Sequence, residues 1–318
     1  MSKINPYEIY LLQAYSSPEY FAKMRDTWGQ MVDHVEACLN EFMLHLPPDY
    51  RRRQLPEQPD IVWGERVLPN FRDTYQRLCD GYIKLANGDY AGLSYAHGPM
   101  NDSKGQSEFW SDWMTKSQGD RYAELLHRAT RIAQNICATD GAYWDPDEIT
   151  NPSIVEDTVT VPEHLPIYRL DTQTSVNTGE QPAKIGIYVP DVDGGCPQFL
   201  QPRPQGAPPA SFVVGTVPIV HPETKVVYGH KNTLGSAPCR WTLVITAHEQ
   251  PQPSEVAAPV ATQPPGRAAA GEKCPTAGYY FTPARIDSRR WFEQGETMPE
   301  LKQDYGATIW QWDQSQEG

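Results

Sequence analysis

The sequence predicts an α+β protein, with an N-terminal helical bundle followed by two related small β modules. Three observations carry that expectation. Apolar residues in the first 144 positions recur at spacings of three and four, the period of one helix face. Beyond Trp144 the texture changes to β-branched runs bounded by turn residues. Within that second half, one segment recurs at a constant offset of 92 positions (179 to 271, 186 to 278, 188 to 280), the mark of an internal repeat.

The first long helix is expected to open at Ser17-Pro18-Glu19, which offers a capping hydroxyl, Pro at the first helical position and an acid facing the helix dipole. Phe21, Met24, Trp28, Met31, Val35, Cys38, Leu39, Phe42 and Leu46 form its apolar face, and Pro47-Pro48 ends it. A second helix is expected from Pro69, with Phe71, Tyr75, Leu78, Tyr82 and Leu85 as its stripe and Asn87-Gly88 as its stop. Ser107-Glu108 is expected to open a third, carrying Trp110, Trp113 and Met114. Gly119-Asp120 restarts the pattern as a fourth, ending at Gly141. Four amphipathic helices joined by polar connections make a bundle.

Strands are expected at 185–189, 212–220, 225–228 and 241–246. The repeat pairs Thr178-Gly179-Glu180-Gln181-Pro182 and Gly186-Ile187-Tyr188-Val189-Pro190 with Ala270-Gly271-Glu272-Lys273-Cys274-Pro275 and Gly278-Tyr279-Tyr280-Phe281. Downstream, Phe199 with Gly206-Ala207-Pro208 parallels Phe292 with Gly295, Met298 and Pro299. Each copy closes on an aromatic strand, at Trp241 and at Ile309-Trp310-Gln311-Trp312. The expected division is a helical domain over 1–144, an acidic connection and first β module over 145–250, a Pro/Ala-rich linker over 251–270 and a second β module over 271–318.

The chain has 318 residues and a formal net charge of −13. A nucleic-acid binder needs a basic face for phosphates, so direct nucleic-acid binding is not expected. A basic partner protein is, because complementary fields steer association. No stretch approaches the roughly 18 apolar residues of a membrane span, and the N-terminus lacks the apolar core of a secretory signal. A cytoplasmic protein without membrane contact is therefore expected. The six cysteines are scattered without a Cys-x-x-Cys pair and read as buried thiols.

The element Gly271-Glu-x-Cys-Pro-x-x-Gly278-Tyr-Tyr280, with Ser288-Arg289-Arg290-x-Phe292-x-x-Gly295-x-x-Met298-Pro299, resembles one found in predicted immunity proteins of bacterial polymorphic toxin and type VI secretion loci. Gly186-Ile-Tyr188-x-Pro190 and Trp241-Thr-Leu-Val fit the same resemblance, which covers roughly 165–312. It implies a cytoplasmic inhibitor of an incoming effector and does not name that effector.

From Ile132 to Tyr168 there is no Lys or Arg. The window holds Asp140, Asp145, Asp147, Glu148, Glu156, Asp157 and Glu163, with Tyr143 and Trp144 among them. Carboxylates around an aromatic anchor suit docking onto the basic cleft of a nuclease, with a DNase ahead of an RNase. The alternatives are a solvated acidic loop between domains and a calcium site. Arg289 and Arg290 could grip an acidic partner or carboxylates inside the fold, and the structural role is the one expected. His221 and His230 flank an expected hairpin without a third ligand, so no metal is expected. No recognised catalytic motif occurs and no cofactor is implied. The expected function is neutralisation of a cognate toxin by blocking its active site or substrate groove. An effector adaptor or chaperone, and an enzyme with an unrecognised site, are the rivals.

Overall fold

The computed structural model describes residues 4–106, 108–155, 158–247, 268–282, 288–301 and 308–313. The chain divides into two compact units, Met1–Gln250 and Pro251–Gly318. The architecture is α+β, with the long helices in the N-terminal half and the strands after them. No helix among the described residues is long and apolar enough to cross a membrane.

In the first unit the helical elements are α1 (Pro6–Tyr15), α2 (Pro18–Leu44), α3 (Pro59–Val62), α4 (Leu68–Ala86), α5 (His97–Gln106), α6 (Lys116–Gly141) and α7 (Pro152–Val155). Ser17 caps α2 as expected, its hydroxyl accepting the Tyr20 N–H at 3.1 Å. The residues of its apolar face from Phe21 to Leu39 are buried, and the Trp28 indole donates to the Phe71 carbonyl of α4 at 3.0 Å. This joins the apolar stripes of α2 and α4.

Residues 108–114, expected to be helical, form turns, and the third long element is α5, which ends where that helix was to begin. Trp113 of this segment plugs the bundle, whereas Trp110 is exposed. Trp113 packs edge-on against Phe42 and Trp63, with ring centroids at 5.8 and 5.5 Å. The last long helix starts at Lys116, before Gly119-Asp120. Thr115 and Gln118 form a capping box that satisfies the first amides there.

The first sheet contains β1 (Tyr168–Asn177), β2 (Gly186–Pro190), β3 (Gln198–Leu200) and β6 (Arg240–Thr246), in the antiparallel order β1-β6-β2-β3. Because side chains alternate across a sheet, its two faces bury different sets. Ile187, Val189, Phe199 and Val244 join the helical core. Val176, Tyr188, Leu200, Trp241 and Leu243 form a second cluster with Ala207 and Ala210. Helices and first β module thus share one hydrophobic core within a single unit. Strands β4 (Ala210–Val220) and β5 (Val227–Ala237) leave this body as a separate two-stranded ribbon.

The second unit holds β7 (Ala268–Ala269), β8 (Gly278–Phe281), β9 (Arg290–Phe292) and β10 (Ile309–Trp312), in the order β7-β10-β8-β9. That is the order of the first sheet, strand for strand. Tyr188 and Tyr280 each donate their hydroxyl to the carbonyl four residues back, Lys184 at 2.7 Å and Thr276 at 3.0 Å. The Trp241 and Trp310 indoles donate to Pro208 and Pro299 carbonyls at 2.8 and 2.9 Å. Gly179 and Gly271 both adopt left-handed backbone, φ +86° and +88°, at the same turn.

Two details of the expected repeat change. The strand register matches Gly186↔Leu200 with Gly278↔Phe292, so the counterpart of Phe292 is Leu200, not Phe199. The second module begins at Ala268, inside the expected linker; residues 251–267 of that linker lie outside the described set. Its core is Ala268, Cys274, Tyr280, Phe292, Met298 and Trp310. Arg289 pairs with Asp313 and lies over the Tyr279 ring, while Arg290 lies over Phe292 at 4.3 Å. Gly295 turns the chain with φ +83°.

Candidate functional site

Helix α6 ends at Gly141, where the Tyr143 ring folds back so closely that a Cβ on that glycine would lie 2.0 Å from it. Ala142 then takes left-handed backbone (φ 49°) and turns the chain toward the first sheet. Trp144 is buried there. It stacks on Tyr15 at 5.7 Å, its indole donates to Thr139 Oγ1 at 3.0 Å, and Gln198 grips both its backbone amide and its carbonyl. The expectation of Trp144 as an exposed anchor is therefore corrected. An indole with an apolar body and a single donor is fully served by this pocket. Tyr143 stays exposed at 56%.

Asp145 and Asp147 follow on the surface and are tied to the ribbon. Ser211 of β4 donates to Asp145 at 2.7 Å, and Asn232 of β5 donates to Asp147 at 3.1 Å. Asp147 itself holds left-handed backbone, φ 70°, a conformation tolerated better by Asp than by most residues. Glu148 is exposed. Glu8 of α1 joins the group: burial raises its pKa first, and the Asp147 charge raises it further. Burial likewise pushes up the Cys196 thiol, and Glu8, Asp145, Glu148 and Asp147 add to that shift. Four carboxylates thus gather at the foot of the ribbon. Among the described residues no three His, Cys, Asp or Glu side chains converge in a way that holds a metal ion.

The ribbon above this foot is exposed on both faces. Val214, Val217, Val220, Val226, Val227 and Tyr228 are all exposed, Tyr228 at 68% and Val214 at 58%. Two strands without a third are marginal in water, and exposed apolar groups grouped on one element mark an interaction surface. His221 caps the turn at the tip, its Nδ1 accepting from the Glu223 and Thr224 amides. His230 is paired with Pro218 farther down the ribbon.

Asp140 does not join the foot. It is half-buried, accepts from Gln201 at 2.6 Å, and is raised in pKa by burial against the opposing charges of Arg203 and His97. The neighbouring Cys137 lies 3.5 Å from His97 Nδ1. Cysteine, histidine and aspartate here have the residue types of a nucleophilic site, but a nucleophile needs the thiolate. Burial pushes the Cys137 thiol up to about 12, so at neutral pH this cluster packs a protonated thiol.

Glu156 and Asp157 lie outside the described residues. The structure brings together Asp145, Asp147 and Glu148, separates Asp140 from them, and adds Glu8 and the apolar ribbon. Glu8 is far away in sequence and carries no local signal of its position. The run of β-branched residues in β4 was legible as a strand, and nothing in it announced a strand without a sheet. Of the repeat residues, Tyr188 and Trp241 lie in the first module's core and Tyr280, Phe292 and Met298 in the second's, whereas Arg289, Arg290 and Gly295 are exposed. In comparison with known proteins, the chain matches no family model, no curated protein and no solved structure.

Proposed function

We propose that this chain is a protein-binding inhibitor: a cytoplasmic immunity protein that neutralises a cognate bacterial toxin by covering its active site or substrate groove, without catalysis of its own. The observation that carries the reading is the foot of the ribbon, where Glu8, Asp145, Asp147 and Glu148 gather beneath an element rich in exposed Val and Tyr. Carboxylates supply complementarity and steering toward a basic surface, and the apolar ribbon supplies area that a partner desolvates. The surrounding window carries no Lys or Arg, so little within it competes for those carboxylates. A toxin with a basic, nucleic-acid-binding cleft fits this surface, which makes a nuclease, and a DNase first, the proposed target. The resemblance of the repeat elements to predicted immunity proteins points the same way.

The test is capture of the partner from native cytoplasm by the tagged chain, followed by a nuclease assay of the partner with and without it. A stoichiometric complex whose activity is abolished supports immunity. A captured effector that remains active makes the chain an adaptor. Failure to capture any toxic protein contradicts the reading.

A further inference from the structure

We propose that the outer face of the second β module is a docking surface for one amphipathic helix supplied by another protein. The first module shows what covers such a face. The two sheets share strand order and register, so Ile187 matches Tyr279, Val189 matches Phe281 and Phe199 matches Trp291. In the first module this is the face on which the helical elements lie. Helix α1 packs on β2 and α6 on β3, and the Tyr90 ring meets Phe199 at 5.3 Å. Ile187, Val189 and Phe199 are all buried there, in the helical core. The matching face of the second module reaches solvent. Trp291 is 47% exposed, and so, at 46%, is Ile309 on the same face of β10.

That exposure runs against the pattern of the strands. An antiparallel sheet with one solvated face alternates apolar with polar residues. Gly278-Tyr279-Tyr280-Phe281 and Arg290-Trp291-Phe292 instead place rings on both faces. Tyr280 and Phe292 fill the module's own core, and Tyr279, Phe281 and Trp291 alternate outward. Exposed apolar groups gathered on one face mark an interaction surface. Composition separates this face from its permanently covered counterpart. There the matched positions are Ile187, Val189 and Phe199, with Val244 beyond them. Here they are Tyr, Phe and Trp, and the position of Val244 is taken by Asp313, paired with Arg289, whose guanidinium lies 4.0 Å over the Tyr279 ring. Aromatic rings with Arg, framed by a polar rim, are what surfaces between separate proteins carry. Size sets the occupant. Strands β10, β8 and β9 span roughly 10 Å between outer axes, and the four residues of β8 run roughly 13 Å. One helix is about 10–12 Å across and rises about 1.5 Å per residue, so two to three turns cover the face. Its apolar stripe seats on Trp291 and Phe281 as the helical elements seat on Phe199 and Val189 in the first module.

The surface stands on the match between the two modules and holds whether or not the chain's partner is a toxin. The probe is p-benzoylphenylalanine, a photoreactive aromatic residue, placed at position 291 or 309 of the full-length chain in its native cell. Irradiation is expected to join the chain to another protein at both positions, and mass spectrometry is expected to place the joined peptide in an amphipathic helix of that protein. With the probe at 309, Trp291→Lys is expected to cut the adduct at least about tenfold, as loss of a central Trp anchor does. Trp291→Tyr is expected to retain most of it, and calorimetry is expected to show the second module folded in both variants. The result at position 291 itself needs no further substitution, so it decides the matter even if Trp291→Lys unfolds the module. The proposal is overturned by the absence of any adduct at both positions, or by a joined peptide from a strand or loop. It is equally overturned by a joined peptide from this sequence itself, which would make the occupant the chain's own body or a second copy, or by an adduct at 309 that a folded Trp291→Lys variant leaves unchanged.

Discussion

Asn232 donates a hydrogen bond to Asp147 at 3.1 Å, fastening the middle of β5 to a turn that leaves the helical region 85 residues earlier. With the Ser211–Asp145 bond at 2.7 Å it holds the ribbon at two points, one on each strand. A two-stranded element that would fray alone gains its orientation from these carboxylates.

Removing the upper point loosens the ribbon and leaves the body intact. Asn232→Ala is expected to cost about 0.5–1 kcal/mol, the net worth of one exposed hydrogen bond. Hydrogen exchange is expected to speed up for β4 and β5 amides, while those of β2 and β6 keep their rates.

Adjacent aromatics at 143 and 144 have opposite roles. Trp144→Ala removes a buried ring from the junction of α1, α6 and β3 and is expected to cost about 3–5 kcal/mol. Tyr143→Ala, at an exposed ring, is expected to leave stability within about 0.5 kcal/mol. Chemical denaturation of both variants measures the contrast.

Glu8 predicts a pH dependence with a defined sign. Burial and then Asp147 raise its pKa above 4.5, with Asn5 pulling the other way. The folded protein therefore holds this proton at pH values where the unfolded chain has released it. The stability associated with protonated Glu8 is full below 4.5 and is lost as pH rises through the raised value. Asp147→Asn is expected to lower the Glu8 pKa without returning it to 4.5, since burial remains. Carboxyl NMR titration of wild type and variant checks both statements.

The two β modules predict matched responses. Tyr188→Phe and Tyr280→Phe each delete one hydroxyl donor to the carbonyl four residues back, and each is expected to cost about 1 kcal/mol. Trp310→Ala, which empties the centre of the small second core, is expected to unfold that module and leave the transition of the first unit in place. Calorimetry with tryptophan fluorescence separates the two.

Much of this architecture was legible in the sequence because periodicity reports burial. The stripe from Phe21 to Leu39 and the 92-residue offset both correspond to observed elements. What was missed lacks that signal. Helix α5 reads His-Gly-Pro-Met-Asn-Asp-Ser-Lys-Gly-Gln, with weak helix formers and no apolar face, and is held by tertiary packing. Strand β1 is mostly polar, interrupted by an irregularity between Asp171 and Ser175. The parallel between Phe199 and Phe292 followed residue type. The register follows the alternation of faces, which places Phe199 on the helical core and Phe292 in the module's own core. At the foot, the acidic window was visible as composition, whereas the burial of Trp144 and the arrival of Glu8 depend on how distant elements meet.

The measurement that tests the central claim most directly is a titration of the captured partner's toxic activity with purified wild-type chain and with the triple variant Asp145→Lys, Asp147→Lys, Glu148→Lys. The account predicts that wild type abolishes the activity at a fixed stoichiometry, and that the triple variant, folded by circular dichroism, needs a large excess and loses its salt dependence. A wild-type chain that leaves the activity untouched at saturation would contradict the account.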